Sequence, residues 1–110
     1  MKKPTTTLRS KIGASKGQPH SRIWIEGKRL LESGFTVGTR YQRTPGPGIV
    51  LRIHPQGGYK VSGKGEKPVI DITGKIVAEK FPPPATHVLV TYMPKLIAIT
   101  PAPKFIESNC

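Results

Sequence analysis

The chain predicts a mostly β fold with two short helices, in which two copies of one unit pack about a pseudo-two-fold axis. Three observations predict it. Ser21–Phe35, SRIWIEGKRLLESGF, is written again at Pro68–Phe81, PVIDITGKIVAEKF. Each copy consists mainly of short β-branched or alternating runs bounded by Gly and Pro, the pattern of strands. Each copy, at about 35 residues, is also too small to hold a core alone, so the natural solution is that each supplies the other's second half.

Residues 1–20 carry Lys2, Lys3, Arg9, Lys11 and Lys16 and no acid, set among Thr, Ser, Gly and Pro, which predicts a flexible basic arm. The first copy occupies 21–55. Arg22–Glu26 is β-branched and aromatic, hence a strand, and Gly27 breaks it. Lys28–Ser33 is a short helix with Leu30 and Leu31 inward, and Gly34 suits its end. Phe35 and Val37 are apolar anchors. Thr39–Arg43 is a second strand, Pro45–Gly48 a turn, and Ile49–Ile53 a third strand. Residues 56–67, QGGYKVSGKGEK, predict an exposed mobile linker, with Tyr59 and Val61 pairing at most as a brief edge.

The second copy, 68–101, repeats the order: strand Val69–Thr73, Gly74, helix Lys75–Lys80, Phe81, strand His87–Tyr92, turn Met93–Lys95, strand Leu96–Thr100. Residues 102–110 form a tail. At an offset of 47, Ile23, Ile25, Gly27, Lys28 and Glu32 fall on Ile70, Ile72, Gly74, Lys75 and Glu79. Phe35 falls on Phe81 after a one-residue deletion, and Ile49-Val50 falls on Leu96-Ile97. Trp24 points away from Ile23 and Ile25. It is expected to pack in the core or between copies, with base stacking as the alternative.

Net charge is +12, from 18 Lys/Arg and 6 Asp/Glu. That imbalance calls for a polyanionic partner, and nucleic acid is the commonest. Residues 1–58 hold 11 Lys/Arg against 2 acids and residues 59–110 hold 7 against 4, so the basic face is assigned to the first copy and its arm. No apolar run approaches the roughly 18–20 residues of a membrane span, and no basic amphipathic helix suggests a membrane partner. Pro4-Thr5 after Met1-Lys2-Lys3 is not the apolar segment of a signal peptide, so a cytoplasmic protein is expected, with nucleoid association as a variant. Cys110 stands alone, and no Cys/His cluster has metal spacing, so neither metal nor cofactor is expected.

Catalysis has weak footing. His20, His54 and His87 and the acids Glu26, Glu32 and Glu79 form no recognisable constellation, and Glu32 and Glu79 are explained as helix partners of Lys28 and Lys75. No catalytic residue is assigned. Binding is the stronger reading. Its candidates are Arg22, Lys28, Arg29, Arg40, Arg43 and Arg52 in the first copy, with Lys11 and Lys16 from the arm. The first three are expected to cluster around one turn.

The pattern I-x-I-x-G-K-x-L-x-x-x-G-F-x-x-G at Ile23–Gly38, followed by a strand, a Gly/Pro turn and IVL, resembles the SymE toxin family, which is related to the AbrB/MazE swapped-hairpin proteins. The resemblance covers residues 21–55 and, more weakly, 68–101. It implies a small β-barrel of two interleaved copies, here within one chain as a monomeric pseudo-dimer, or further paired as a homodimer. It implies nucleic-acid binding, DNA ahead of RNA, in a toxin-like or nucleoid role. Arg22 matches the basic residue that opens the strand before the helix. The family's basic pair on the helix aligns with Leu30 and Leu31, so Lys28 and Arg29 take over from another face, and Val69 holds the second copy's counterpart of Arg22. The alternatives are a SymE-like endoribonuclease toxin and an antitoxin- or phage-type inhibitor of a protein partner.

Overall fold

The computed structural model describes residues 6–15, 17–46, 48–82 and 85–102. The first copy contributes β1 (Thr6–Lys11), β2 (Gly13–Ser15), β3 (Gln18–Glu26), α1 (Lys28–Glu32), β4 (Arg40–Pro45) and β5 (Ile49–Ile53). The second contributes β6 (Tyr59–Lys60), β7 (Ser62–Lys64), β8 (Lys67–Thr73), α2 (Lys75–Lys80), β9 (His87–Met93) and β10 (Leu96–Pro101). The protein is mostly β with two short helices, as expected. Its strands form two antiparallel sheets, β1-β9-β10-β5-β4-β6 and β2-β3-β8-β7. Among the described residues the closed barrel expected from the resemblance is not formed, because each sheet ends in edge strands, β1 and β6 in one and β2 and β7 in the other.

Both sheets are palindromes of the two copies. At the centre of the four-stranded sheet β3 meets β8, with Ile23 opposite Ile72 and Ile25 opposite Ile70. At the centre of the six-stranded sheet β5 meets β10, with Leu51 opposite Ile97 and Ile49 opposite Ile99. The outer strands cross over: β1 of the first copy pairs with β9 of the second, and β6 of the second pairs with β4 of the first. Neither copy therefore has a sheet of its own.

Two expectations are corrected here. The segment expected as a flexible arm forms β1, β2 and the start of β3, and the segment expected as a mobile linker forms β6 and β7. The reason lies in two short apolar side chains. Ile12 and Val61 are buried where the chain passes from one sheet to the other, and their amides donate to the carbonyls of Thr86 and Thr39, each at 2.9 Å. Burial of one β-branched residue and ladder hydrogen bonds on either side offset the ordering of a polar segment.

The core lies between the sheets. Phe35 and Phe81 are fully buried, as are Ile23, Ile25, Leu51, Ile70, Ile72, Ile97 and Ile99. On β9 the burial alternates strictly, Val88, Val90 and Tyr92 inward and His87, Leu89, Thr91 and Met93 outward. The expected match of Ile49-Val50 to Leu96-Ile97 is off by one, since Ile49 and Leu51 share their inward facing with Ile97 and Ile99. A one-residue slip reverses every side chain, so facing decides the alignment. The helices pack on β3 and β8 and bury Leu30 and Val77. Gly27 and Gly74 precede them at φ 103° and 111°, a backbone that other residues adopt only with strain, which is why the Gly-Lys step recurs. Trp24, expected to be packed, is instead 42% exposed on the outer face of the four-stranded sheet. No helix among the described residues is long and apolar enough to cross a membrane.

Candidate nucleic-acid interface

The charge divides by sheet rather than by copy. The six-stranded sheet carries Arg9, Lys11, Arg40, Arg43, Arg52 and Lys60, with Lys95 in its β9–β10 turn, and no carboxylate. All five described acids, Glu26, Glu32, Glu66, Asp71 and Glu79, lie on the four-stranded sheet, the helices or the β7–β8 turn. Because each sheet takes strands from both copies, a count by halves of the sequence blurs this separation.

Register places five of the six strand cations of this sheet, all but Arg43, on one surface. His87, Leu89 and Thr91 face outward, and their partners across the ladder are Lys11, Arg9 and Thr7. On the far side Arg52 stands between Leu96 and Gln42, and Arg40 faces Lys60. Between these basic corners lie Thr7, Thr91, Ala98, Val50 and Thr44, a flat row of small side chains. The Thr7 and Thr91 hydroxyls share a hydrogen bond of 3.0 Å. Arg40 is steadied by donating from Nη1 to the Gly57 carbonyl at 3.0 Å, and the Nδ1 of His87 lies 2.9 Å from the Thr86 hydroxyl. Cations held on a sheet that carries no acid can meet phosphates without first releasing a local partner.

Arg22, Lys28 and Arg29 are not brought together, and each sits among acids. Four strand residues, about 13 Å, separate Arg22 from the end of β3 where α1 begins. Arg22 grips Asp71 through two bonds, Nε to Oδ1 at 2.9 Å and Nη2 to Oδ2 at 2.7 Å, and its guanidinium lies 5.0 Å from the centre of the Trp24 ring. The Asp71 hydrogen bonds hold Arg22 above the ordinary guanidinium range, so it stays charged but paired. Lys28 lines an open groove with Glu26, Glu66 and Lys67. Arg29 lines a cleft of about 260 Å³ with Glu32 and Tyr92. Burial pushes the Tyr92 phenol up, against the pull of Arg29.

Arg43 is also directed elsewhere. It is on the inward face of β4, in register with buried Leu51, at the position the second hairpin gives to Val90. Its guanidinium lies 4.0 Å over the Tyr59 ring, and its Nε is buried without a hydrogen-bond partner. Tyr59 stacks on Tyr41, whose phenol burial pushes up against the pull of Arg43. Arg43 therefore closes the edge of the core. Lys16 and the side chain of His20 lie outside the described residues. Among the described residues no group of three or more His, Cys, Asp or Glu side chains is placed to hold a metal ion.

Arg9, Lys60 and His87 complete the surface but are not among the candidates from sequence. A signal for Lys60 exists: Lys11-Ile12-Gly13-Ala14-Ser15-Lys16-Gly17 is echoed by Lys60-Val61-Ser62-Gly63-Lys64-Gly65. Comparison with protein families, curated proteins and solved structures gives no match to this chain.

The pairing of Arg22 makes a test. Arg22→Gln is expected to change nucleic-acid affinity by less than about twofold, because its charge is already matched. Asp71→Asn, which releases the guanidinium, is expected to tighten binding by about two- to threefold. Fluorescence anisotropy on a labelled duplex measures both. A loss of tenfold or more with Arg22→Gln would return Arg22 to the interface.

Proposed function

We propose that this chain binds nucleic acid, DNA ahead of RNA, through the outer face of its six-stranded sheet and with low sequence specificity. The observation that carries the proposal is the segregation of charge: exposed cations on a sheet without a carboxylate, with every described acid on the other layer. Cations of this kind neutralise phosphates and position the backbone, whereas sequence is read by groups that enter a groove. The described helices pack on the opposite sheet, so none supplies a reading element on this face. The interleaved pairing of β3 with β8 and β5 with β10 supports kinship with the swapped-hairpin AbrB/SymE proteins. With that kinship, a toxin-like or nucleoid role in the cytoplasm is the physiological setting proposed.

The experiment is a salt titration of binding to matched duplex DNA, single-stranded DNA and RNA, with the RNA recovered intact or cleaved as a further readout. Five engaged cations give a slope of log K against log salt of about −4.5 on duplex. A slope near zero, or no binding at low salt, would overturn the proposal and leave a protein partner as the reading to pursue. RNA cut during the titration would replace binding by endoribonuclease activity.

A further inference from the structure

Lys11 and Lys60 are symmetry mates at an offset of 49, not the 47 that aligns the central units. Each immediately precedes the buried residue that crosses between sheets, Ile12 and Val61, and those residues bond to Thr86 and Thr39 in the same way. The next residues after those threonines are His87 and Arg40. Lys11 stands opposite His87, and Lys60 stands opposite Arg40. The structure thus holds two equivalent cross-strand pairs, each built from one residue of either copy, at opposite corners of one outer face. One is Lys–Arg and the other Lys–His.

Their separation follows from the ladder. The order β9-β10-β5-β4 places three strand spacings between His87 and Arg40, and extrapolating the registers adds eight residue rises along the strands. Together these make about 30 Å, within the longest extent of 36 Å. That length corresponds to about nine base pairs at about 3.4 Å each.

We infer that these two pairs are matched phosphate sites, and that a duplex long enough to reach both is the ligand they take. This rests on the proposed function and specifies it. Each pair presents two basic side chains across one antiparallel rung, where side chains lie about 5 Å apart, close enough to share one phosphate. The row midway between them is Thr, Ala and Val, and the rest of the face adds Leu89, Leu96, Gln42 and Arg52 without an aromatic ring on which unstacked bases would lie. Trp24 and Tyr59 are each 42% exposed, but Trp24 is on the other layer and Tyr59 is on the inner face of its edge strand, covered by Tyr41 and Arg43. A single strand would have to be ordered over the whole span with no stacking to offset the cost, whereas a duplex arrives stiff. The Lys–Arg corner is the stronger one, because a guanidinium meets a phosphate through two parallel hydrogen bonds, which an imidazole does not.

The test uses the full chain and duplexes of about 6 and about 14 base pairs, compared per binding position. The longer duplex is expected to bind at least tenfold more tightly. Lys11→Gln and Lys60→Gln should each lower the salt slope by about one and reduce that length advantage. His87→Arg, which makes the corners alike, should tighten the long duplex about three- to fivefold and leave the short one within twofold. Equal affinity for the two lengths, a single strand of about 14 nucleotides bound as tightly as the duplex, or His87→Arg without effect would each overturn the two-site inference while leaving salt-dependent binding by the sheet intact. Absence of binding to any of the probes would instead fail the proposed function itself. Circular dichroism of each variant separates lost sites from lost structure.

Discussion

Phe81→Ala is expected to destabilise the protein by about 3–5 kcal/mol, the range for removing a fully buried aromatic side chain. Phe35→Ala should cost about as much, because the two rings hold equivalent positions after the two helices and are exposed by only 1% and 0%. For a domain of this size total stability is about 5–15 kcal/mol, so either variant removes a large part of it. The interleaved topology adds a sharper expectation. A ring lost from one copy must weaken both, since every sheet contains strands from both. Urea unfolding followed by tryptophan fluorescence, which reports Trp24 in the first copy, should shift as much for Phe81→Ala as for Phe35→Ala, in one transition with an unchanged slope. A Trp24 signal indifferent to Phe81 would mean that the copies fold separately.

Neutralising the outer face is expected to have the largest functional effect. The five substitutions Arg9→Gln, Lys11→Gln, Arg40→Gln, Arg52→Gln and Lys60→Gln remove the outward cations of the six-stranded sheet. Duplex affinity should fall at least about a hundredfold at moderate salt, and the salt slope should approach zero. A control with Lys28→Gln, Arg29→Gln, Lys64→Gln, Lys67→Gln and Lys75→Gln removes the same net charge from the other layer. It should lose less than about fivefold, the part owed to long-range attraction. These positions are exposed, and surface substitutions of this kind usually change stability by within about 0.5 kcal/mol each. Similar losses in the two variants would show that net charge, rather than the sheet, governs binding.

The elements of the two central units are legible in the sequence because local signals agree there. The helix Lys75–Lys80 and the strand Ile49–Ile53 fall where Gly, Pro and β-branched runs place them. Phe35 and Phe81 are core because only the interior can accept them at equivalent positions. The outer strands are not legible by the same means. β1, β2, β6 and β7 are mostly polar edge segments whose apolar crossing residue, Ile12 or Val61, carries little weight in a local window. Only their long-range partners order them. The interface suffers from the same cause. Arg22 looks available until β8 brings Asp71 to its side, and Arg43 looks exposed until the register puts it level with Leu51. Lys60 and His87 become site residues only when the ladder sets them opposite Arg40 and Lys11. Partition of charge by sheet is a property of strand order, which a reading along the chain does not contain.

The most direct measurement is amide chemical-shift mapping during titration with a duplex of about 14 base pairs, which at about 3.4 Å each is long enough to reach both corners. The account predicts that the perturbed amides lie in β1, β9, β4, β5 and β6, centred on Arg9, Lys11, His87, Arg40, Arg52 and Lys60, with the four-stranded sheet unmoved. Perturbations centred on Arg22, Trp24, Lys28 and Arg29 would contradict it and place the nucleic acid on the opposite layer.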